Sequence, residues 1–302
     1  MSVDFYYSLM SYLVSKNKQQ GFFSGSDFNT VINQAQQSFF SYLLRNFSKY
    51  VPNHPQQNVE LGNNQSVRQT LAPFIKEVDL IINSGAAAYP EDFEQVDAMY
   101  TSSFAMKPIR YVQQQYLPAY MTSVIDPINT NPVYLIKNDV IQFYPANNVL
   151  LPSAYLSYAS TPPPIVWAYQ LDANQRPVYT TGIQGVPIIK GGTGYSAATV
   201  TFSAPPSGGV QATGTVTIVG GVIKAIVMTN NGAGYNNTSP TVTLTGTGGT
   251  GALLGSPIVS VDPLWYATDF YEVISRALRM VGVSLDANGV SNYANQITTQ
   301  GQ

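Results

Sequence analysis

Gly192-Thr193-Gly194-Tyr195 recurs 40 residues later as Gly232-Ala233-Gly234-Tyr235, and this repeat decides how the chain is divided. Thr199-Val200-Thr201-Phe202 is answered by Thr241-Val242-Thr243-Leu244, and Gly208-Gly209 by Gly248-Gly249. A repeat of this period marks duplicated supersecondary units. The Thr-Val alternation over 214–219, and the run 224–229, predict β-strands joined by Gly-rich turns. Lys190 and Lys224 are the only charges between 183 and 259. The stretch reads as a small inserted β-domain.

On either side the character changes. Downstream, Phe270, Ile274, Ala277, Leu278 and Val281 fall on one helical face, with Thr268 or Asp269 as cap and Gly282 as stop. A second short helix is expected near Asp286. Upstream, Pro132-Val-Tyr-Leu-Ile, Val140-Ile-Gln-Phe-Tyr and Ala154-Tyr-Leu-Ser-Tyr158 are short β-rich runs between turn residues. Tyr155, Ser157 and Ala159 alternate with Leu156 and Tyr158, as a half-buried antiparallel strand requires. Pro162-Pro-Pro164 before Ile-Val-Trp167 predicts an extended edge. Residues 71–82 fit strand or helix, although Pro73 opposes a helix interior. A strand is expected over 93–105. Pro108 opens a predicted helix through Ile109, Val112, Tyr116 and Met121.

The N-terminal third reads as helical. Phe5, Leu9, Tyr12 and Leu13 have helical spacing within 3–19. Ser26 or Asp27 caps a second helix running to about Tyr50, with Val31, Ala35, Phe39, Leu43 and Phe47 on one face and Phe28, Ile32 and Phe40 beside them. The expected fold class is therefore α+β: N-terminal helices, an antiparallel β body, an inserted Gly/Thr-rich β-domain and C-terminal helices. The expected division is a body over 1–182, the insertion over 183–259, and a segment over 260–302 that completes the body.

Composition narrows the function. Among 302 residues there are 14 basic and 16 acidic side chains, 10% charged in all, against about 25% in typical domains. Amides take the polar role, with 21 Gln and 22 Asn beside 21 Tyr. A chain without basic runs is a poor nucleic-acid binder, because phosphate neutralisation needs clustered Lys and Arg. No window reaches the roughly 18 apolar residues of a membrane span. The segment from Met1 to Tyr7 has no basic start, so no secretory signal is expected. Cys is absent and His54 is the sole histidine, which removes thiolate metal sites and paired-imidazole chemistry. Tyr brings interface area with few rotamers to freeze, and low charge lowers the desolvation cost of large contacts. The balance favours an assembly protein; no catalytic residue, cofactor or metal is expected.

Individual motifs agree. Glu91, Asp92, Glu94 and Asp97 could pair as carboxylates or hold a metal, but a solvated turn after Pro90 is the simpler reading. Gly192-Thr-Gly194-Tyr-Ser-Ala197 mimics a dinucleotide fingerprint without its helix or downstream acid. Tyr195 and Tyr235, on Gly-rich turns, could stack on sugar rings or contact a partner; alternatively they pack back on the β-domain. The C-terminal stretch 262–295 is the expected docking element, through Trp265, Tyr266, Phe270, Tyr271 and Tyr293.

The order of segments resembles tailed-bacteriophage virion proteins, specifically neck or ring proteins of the head-to-tail connector in crAss-like phages. The residues that carry it are Phe22-Phe-Ser-Gly-Ser-Asp-Phe28 through Ala35, Tyr89-Pro-Glu-Asp-Phe93, Pro132-Val-Tyr134 and Val140 to Pro145. It continues through Tyr155-Leu-Ser-Tyr158, Pro162 to Trp167, Asp269-Phe270, and Val281-Gly-Val-Ser-Leu-Asp286 to Tyr293-Ala294. The Gly-x-Gly-Tyr repeats are similar to Gly-rich β-modules of phage virion proteins. The resemblance implies a non-enzymatic ring, a dodecamer, that links the portal protein to tail components and braces a channel through which genomic DNA slides. It further implies localisation at the virion head–tail junction, after synthesis in the host cytoplasm. A receptor- or glycan-binding surface protein is the alternative. A carboxylate-based hydrolase is a third, disfavoured because such enzymes need two placed acids.

Overall fold

The computed structural model describes residues 2–17, 23–46, 65–101, 107–122, 127, 131–146, 151–206 and 208–282. The fold is α+β, with helices at the N-terminus, antiparallel strands through the middle and a helix near the C-terminus. Contacts divide the chain into two compact units, residues 1–42 with 163–302, and residues 43–162. The boundaries therefore lie at 42/43 and 162/163, not at 182/183 and 259/260. The Gly-rich stretch shares its unit with the terminal helices because Asn29, Asn33 and Gln36 hold the extended backbone that leads into it.

In the first unit, α1 (Val3–Asn17), α2 (Gly25–Asn46) and α5 (Ala267–Met280) supply the helical part. α2 starts two to three residues earlier than a Ser26 or Asp27 cap implies. Ser24 and Asp27 form a capping box: the Asp27 amide donates to Ser24 Oγ at 3.1 Å, and the Ser24 amide to Asp27 Oδ2 at 3.2 Å. The inward face of α1 also differs from expectation. Val3, Tyr6, Met10 and Val14 are buried, whereas Phe5 and Tyr12 are exposed. Apolar side chains surround most of this helix, so its own pattern does not select a face. Tyr6 decides it by packing on Phe270, ring centroids 4.4 Å apart. On α5, Phe270, Ile274, Ala277 and Leu278 are buried as the spacing predicts, Val273 joins them, Val281 is only half-buried at the C-cap, and Gly282 follows at φ +80°. Tyr266 occupies the cap without a side-chain hydrogen bond, so neither Thr268 nor Asp269 serves there. The helix expected near Asp286 lies outside the described residues.

The β part of this unit contains β8 (Tyr169–Leu171) paired with β9 (Pro177–Tyr179), then β10 (Ile183–Gly185), β11 (Ile188–Thr193), β12 (Ala197–Phe202), β13 (Thr213–Val219), β14 (Val222–Asn230), β15 (Val242–Thr247), β16 (Thr250–Leu254) and β17 (Ile258–Val259). Four of them form a sheet in the order β14-β13-β12-β15, while β10 pairs with β17 and β11 with β16. The repeat is visible in the register. Shifting Lys190↔Leu253 by 40 gives Asn230↔Thr213, and Thr193↔Thr250 becomes Ala233↔Val210. Tyr195 donates its amide to Gly221 O, and Tyr235 donates its own to Thr181 O, whose position is 40 before Gly221, both at 2.9 Å. The two repeats are thus related by a local two-fold and interlocked: β11–β16, β12–β15 and β13–β14 each join one repeat to the other. Their shared core contains Ile183, Val200, Phe202, Ala212, Tyr235 and Val259.

The second unit has two sheets. β1 (Ile75–Ile81), β7 (Ser153–Ser160) and β3 (Phe93–Tyr100) form one in the order β1-β7-β3. β2 (Ala86–Ala88), β6 (Val140–Tyr144), β5 (Val133–Ile136) and β4 (Arg110–Tyr111) form the other in that order. Leu80, Met99, Leu156 and Tyr158 from the first sheet share a core with Ala87, Tyr134, Ile141 and Phe143 from the second. β7 is central and, from Leu156 onward, buried on both faces, not half-buried. A short helix α3 spans 65–71, and Ala72–Phe74 form a 3-10 turn into β1, so 75–81 is strand. The helix expected after Pro108 is mostly absent. β4 pairs in parallel with β5, and only a turn at Gln114–Tyr116 and α4 (Leu117–Met121) are helical. Burial of Ile109 and Val112 beside β5 outweighs the weak helical spacing there.

Candidate assembly surface

Three amides one helical turn apart on α2 read an extended backbone. Asn29 Oδ1 accepts from the Trp167 amide at 2.7 Å, and its Nδ2 donates to Trp167 O at 3.2 Å. Asn33 makes the same exchange with Ile165, and Gln36 Nε2 donates to Pro163 O at 2.9 Å. The spacing i, i+4, i+7 on the helix meets alternate residues of the strand-like segment. Gln36 is itself buried, and its Oε1 accepts from Trp265 Nε1 at 3.0 Å. Trp167 is clamped between Tyr7, stacked at 3.7 Å, and Tyr169 at 5.5 Å, with Asp4 accepting its indole N–H. From the sequence alone these three amides are assigned no role. Their helical spacing opposite a Pro-rich extended run was the available signal.

The expected docking residues separate into two sets. Trp265 and Phe270 are buried, against Phe39 and Tyr6 respectively, and belong to the core. Tyr266 and Tyr271 are 54% and 45% exposed. Tyr293 lies outside the described residues. Phe5, Tyr12, Leu264 and Met280 are also exposed on or beside α1 and α5. Tyr271 lies edge-on to Tyr6, centroids 6.4 Å apart, so an outward tyrosine continues directly from the core. On the flank of α5, Arg276 lies over Phe39 and Tyr42, both within 5.3 Å, and accepts no free role there because Glu272 and Ser38 bind it.

Tyr195 and Tyr235 do not present ring faces. They are 8% and 1% exposed. Tyr235 Oη donates to Ser203 O at 2.9 Å and accepts from the Ala212 amide at 3.1 Å; Tyr195 Oη accepts from the Ala252 amide at 3.4 Å. Each ring lies beside its own motif glycine. A Cβ on Gly192 would sit 2.6 Å from Thr250 O, and one on Gly232 would sit 2.5 Å from Val210 O. Both glycines have positive φ, so Gly is required twice over. The glycan-stacking reading of these tyrosines is thereby corrected.

Two of the four clustered acids, Asp92 and Asp97, are tied into the fold. Asp92 pairs with Lys76 and accepts from Tyr158 Oη; Asp97 binds Arg68 at 2.7 Å and Ser157 at 3.1 Å. Lys76, then Tyr158, hold the Asp92 carboxyl below its usual range despite opposing desolvation. Burial, with the Asp92 bond second, pushes Tyr158 up to about 12, and burial does the same to Tyr134. Glu77 accepts from Tyr155. No group of three His, Cys, Asp or Glu among the described residues could hold a metal. His54 lies outside the described residues. A cleft of about 670 Å³ beside the cluster is lined by Tyr89, Pro90, Glu91, Phe93 and Ile136 to Asn138, and Tyr89 Oη is tied to Lys137 O across it. No helix among the described residues is long and apolar enough to cross a membrane.

No protein-family model and no curated protein matches the chain.

Proposed function

We propose that this chain is a non-enzymatic structural subunit of a tailed-phage virion, forming a ring at the head-to-tail connector between portal protein and tail. The observation that carries the reading is the set of large apolar and aromatic side chains left exposed on and beside α1 and α5, Phe5, Tyr12, Tyr266, Tyr271 and Met280, in a chain with few charges. Burying such side chains against a copy of the chain or a neutral partner removes apolar surface from water and desolvates few charges. Repeated heterologous contact closes a ring when the rotation per subunit closes. The order of the connector-like segments supports the same reading. A near-neutral lining suits a channel in which DNA slides without being held, since retention needs clustered cations. The test has two parts: negative-stain microscopy of the purified chain, and immunogold labelling of particles. Rings, with gold at the head–tail junction, are expected. Gold at fibre tips, or a monomer with no label and no peptides in purified particles, overturns the proposal.

A further inference from the structure

We infer that the free edge of β15 is a self-association surface, on which β15 of a second copy of this chain adds as an antiparallel strand. The Ser203 amide donates to Thr241 O, so the odd-numbered residues of β15 bond inward to β12. The amides and carbonyls of Val242, Leu244 and Gly246 therefore point to the opposite edge. Among the described residues, no hydrogen bond uses them.

The local two-fold makes this edge anomalous. β12 is flanked by both β13 and β15, whereas its repeat-mate β15 is flanked in the sheet by β12 alone. The other end of the sheet is covered: β11 lies along β14, and the Ile183 amide donates to Asn231 O just beyond it. Exposed edges are ordinarily blunted by charge, proline or bulges. β1 follows that rule with Lys76, Glu77 and Asp79. β15 has none of these devices. It carries no charge or proline within 242–247, and its pairing with β12 has no register shift.

The occupant follows from what already sits on the other side. β12 contains Thr199-Val-Thr-Phe202, and Thr241-Val-Thr-Leu244 leads into β15. They pair antiparallel with Thr201 opposite Thr243 and Thr199 opposite Thr245. A second β15 offers the free edge the same uncharged pattern that β12 offers the bonded one. Charge matching selects it too, because there is no charge from 225 to 261 to attract a charged strand. Two copies related by a two-fold would form about six further backbone hydrogen bonds and extend the sheet without interruption. The inference is independent of the connector reading.

Thr243 and Thr245 are exposed, so charge placed there tests the pairing directly. The full chain is compared as wild type, as Thr243→Lys/Thr245→Lys and as Thr243→Glu/Thr245→Glu by sedimentation equilibrium, with circular dichroism to establish folding. Each variant alone is expected to show half the wild-type mass, and an equimolar mixture to restore it. Wild-type mass in both variants, or no gain on mixing, overturns the inference. Residue-resolved amide exchange on the wild-type chain needs no variant. Protection at Val242, Leu244 and Gly246 equal to that at Thr243 and Thr245 is expected, and free-edge exchange rates at those three overturn it.

Discussion

Asn33 and Ile165 exchange two hydrogen bonds, each 2.8 Å, so that a helix side chain completes the pairing of an extended backbone. Ile165 follows three prolines that have no amide to offer a neighbouring strand, and its one sheet-like neighbour contact is at Val166, which bridges to Val261. α2 thus takes the place of a strand.

Replacing Asn33 by Ala leaves both peptide groups of a residue that is 1% exposed without partners. Each unsatisfied group costs about 1–3 kcal/mol, so Asn33→Ala is expected to destabilise the first unit by about 2–4 kcal/mol. Asn33→Asp keeps the acceptor and loses the donor, and should fall between. Urea unfolding followed by Trp fluorescence reads this, since Trp167 and Trp265 both sit in that unit. A loss below about 0.5 kcal/mol for the alanine variant contradicts the account.

The two motif tyrosines are equivalent in sequence but not in bonding. Tyr235→Phe removes two hydrogen bonds from a buried hydroxyl and strands the Ala212 amide, at about 1–3 kcal/mol. Tyr195→Phe removes one long bond and should cost less than half as much. Gly232→Ala, which meets Val210 O and a positive φ together, should be worse than either. Thermal melts should show the largest loss for Gly232→Ala, then Tyr235→Phe, then Tyr195→Phe; equal losses for the tyrosines would refute the asymmetry.

Periodicity made much of this fold legible. The Gly-x-Gly-Tyr repeat follows from its 40-residue period, and the α5 face and the short strands 133–136, 140–144 and 153–160 from spacings of 3.6 and two residues. Three features did not. The α1 face was misplaced because Phe5, Tyr6 and Tyr7 are interchangeable by hydropathy, and only Phe270 and Trp167 choose among them. Trp265 and Phe270 read as interface because aromatic content alone does not distinguish a core side from a docking side. Asn29, Asn33 and Gln36 drew no reading because, although their helical spacing is visible, their partners are backbone groups 127–138 residues away that only the fold brings opposite them.

Alkali should unfold the second unit. Burial favours the neutral phenols of Tyr134 and Tyr158, whose folded values are about 12 against an ordinary 10.0. A raised value contributes stability that is fully present below pH 10 and is lost as pH rises toward 12. Absorbance at the tyrosinate band should therefore show a late-titrating class coincident with unfolding. Tyr134→Phe and Tyr158→Phe should each shift the midpoint of alkaline unfolding upward.

Acid acts on the same sheet through Asp92. Its folded value lies below the usual 3.8, so its contribution is present above that pH and disappears as pH falls through the lowered value. Lys76→Met removes the principal cause. The wild-type melting temperature should fall faster than that of Lys76→Met as pH is lowered below about 4, with the gap between them closing. Parallel curves would show that the Lys76 pair does not set the shift.

Assembly should respond to the outer tyrosines and stability to the inner aromatics, although both lie within seven residues of sequence. Tyr266 and Tyr271 face solvent in the isolated chain, so Tyr266→Glu/Tyr271→Glu should alter its melting by no more than exposed substitutions do, about 0.5 kcal/mol each. In a packed ring the same two charges would be desolvated without partners, a change expected to abolish assembly. Trp265→Ala instead leaves a cavity beside Phe39 and removes the Gln36 partner, at about 3–5 kcal/mol. Native mass spectrometry and thermal melts on the same preparations separate the two effects. If the glutamate pair assembles normally while remaining folded, the α5 face is not the contact, and the ring must be built from another surface.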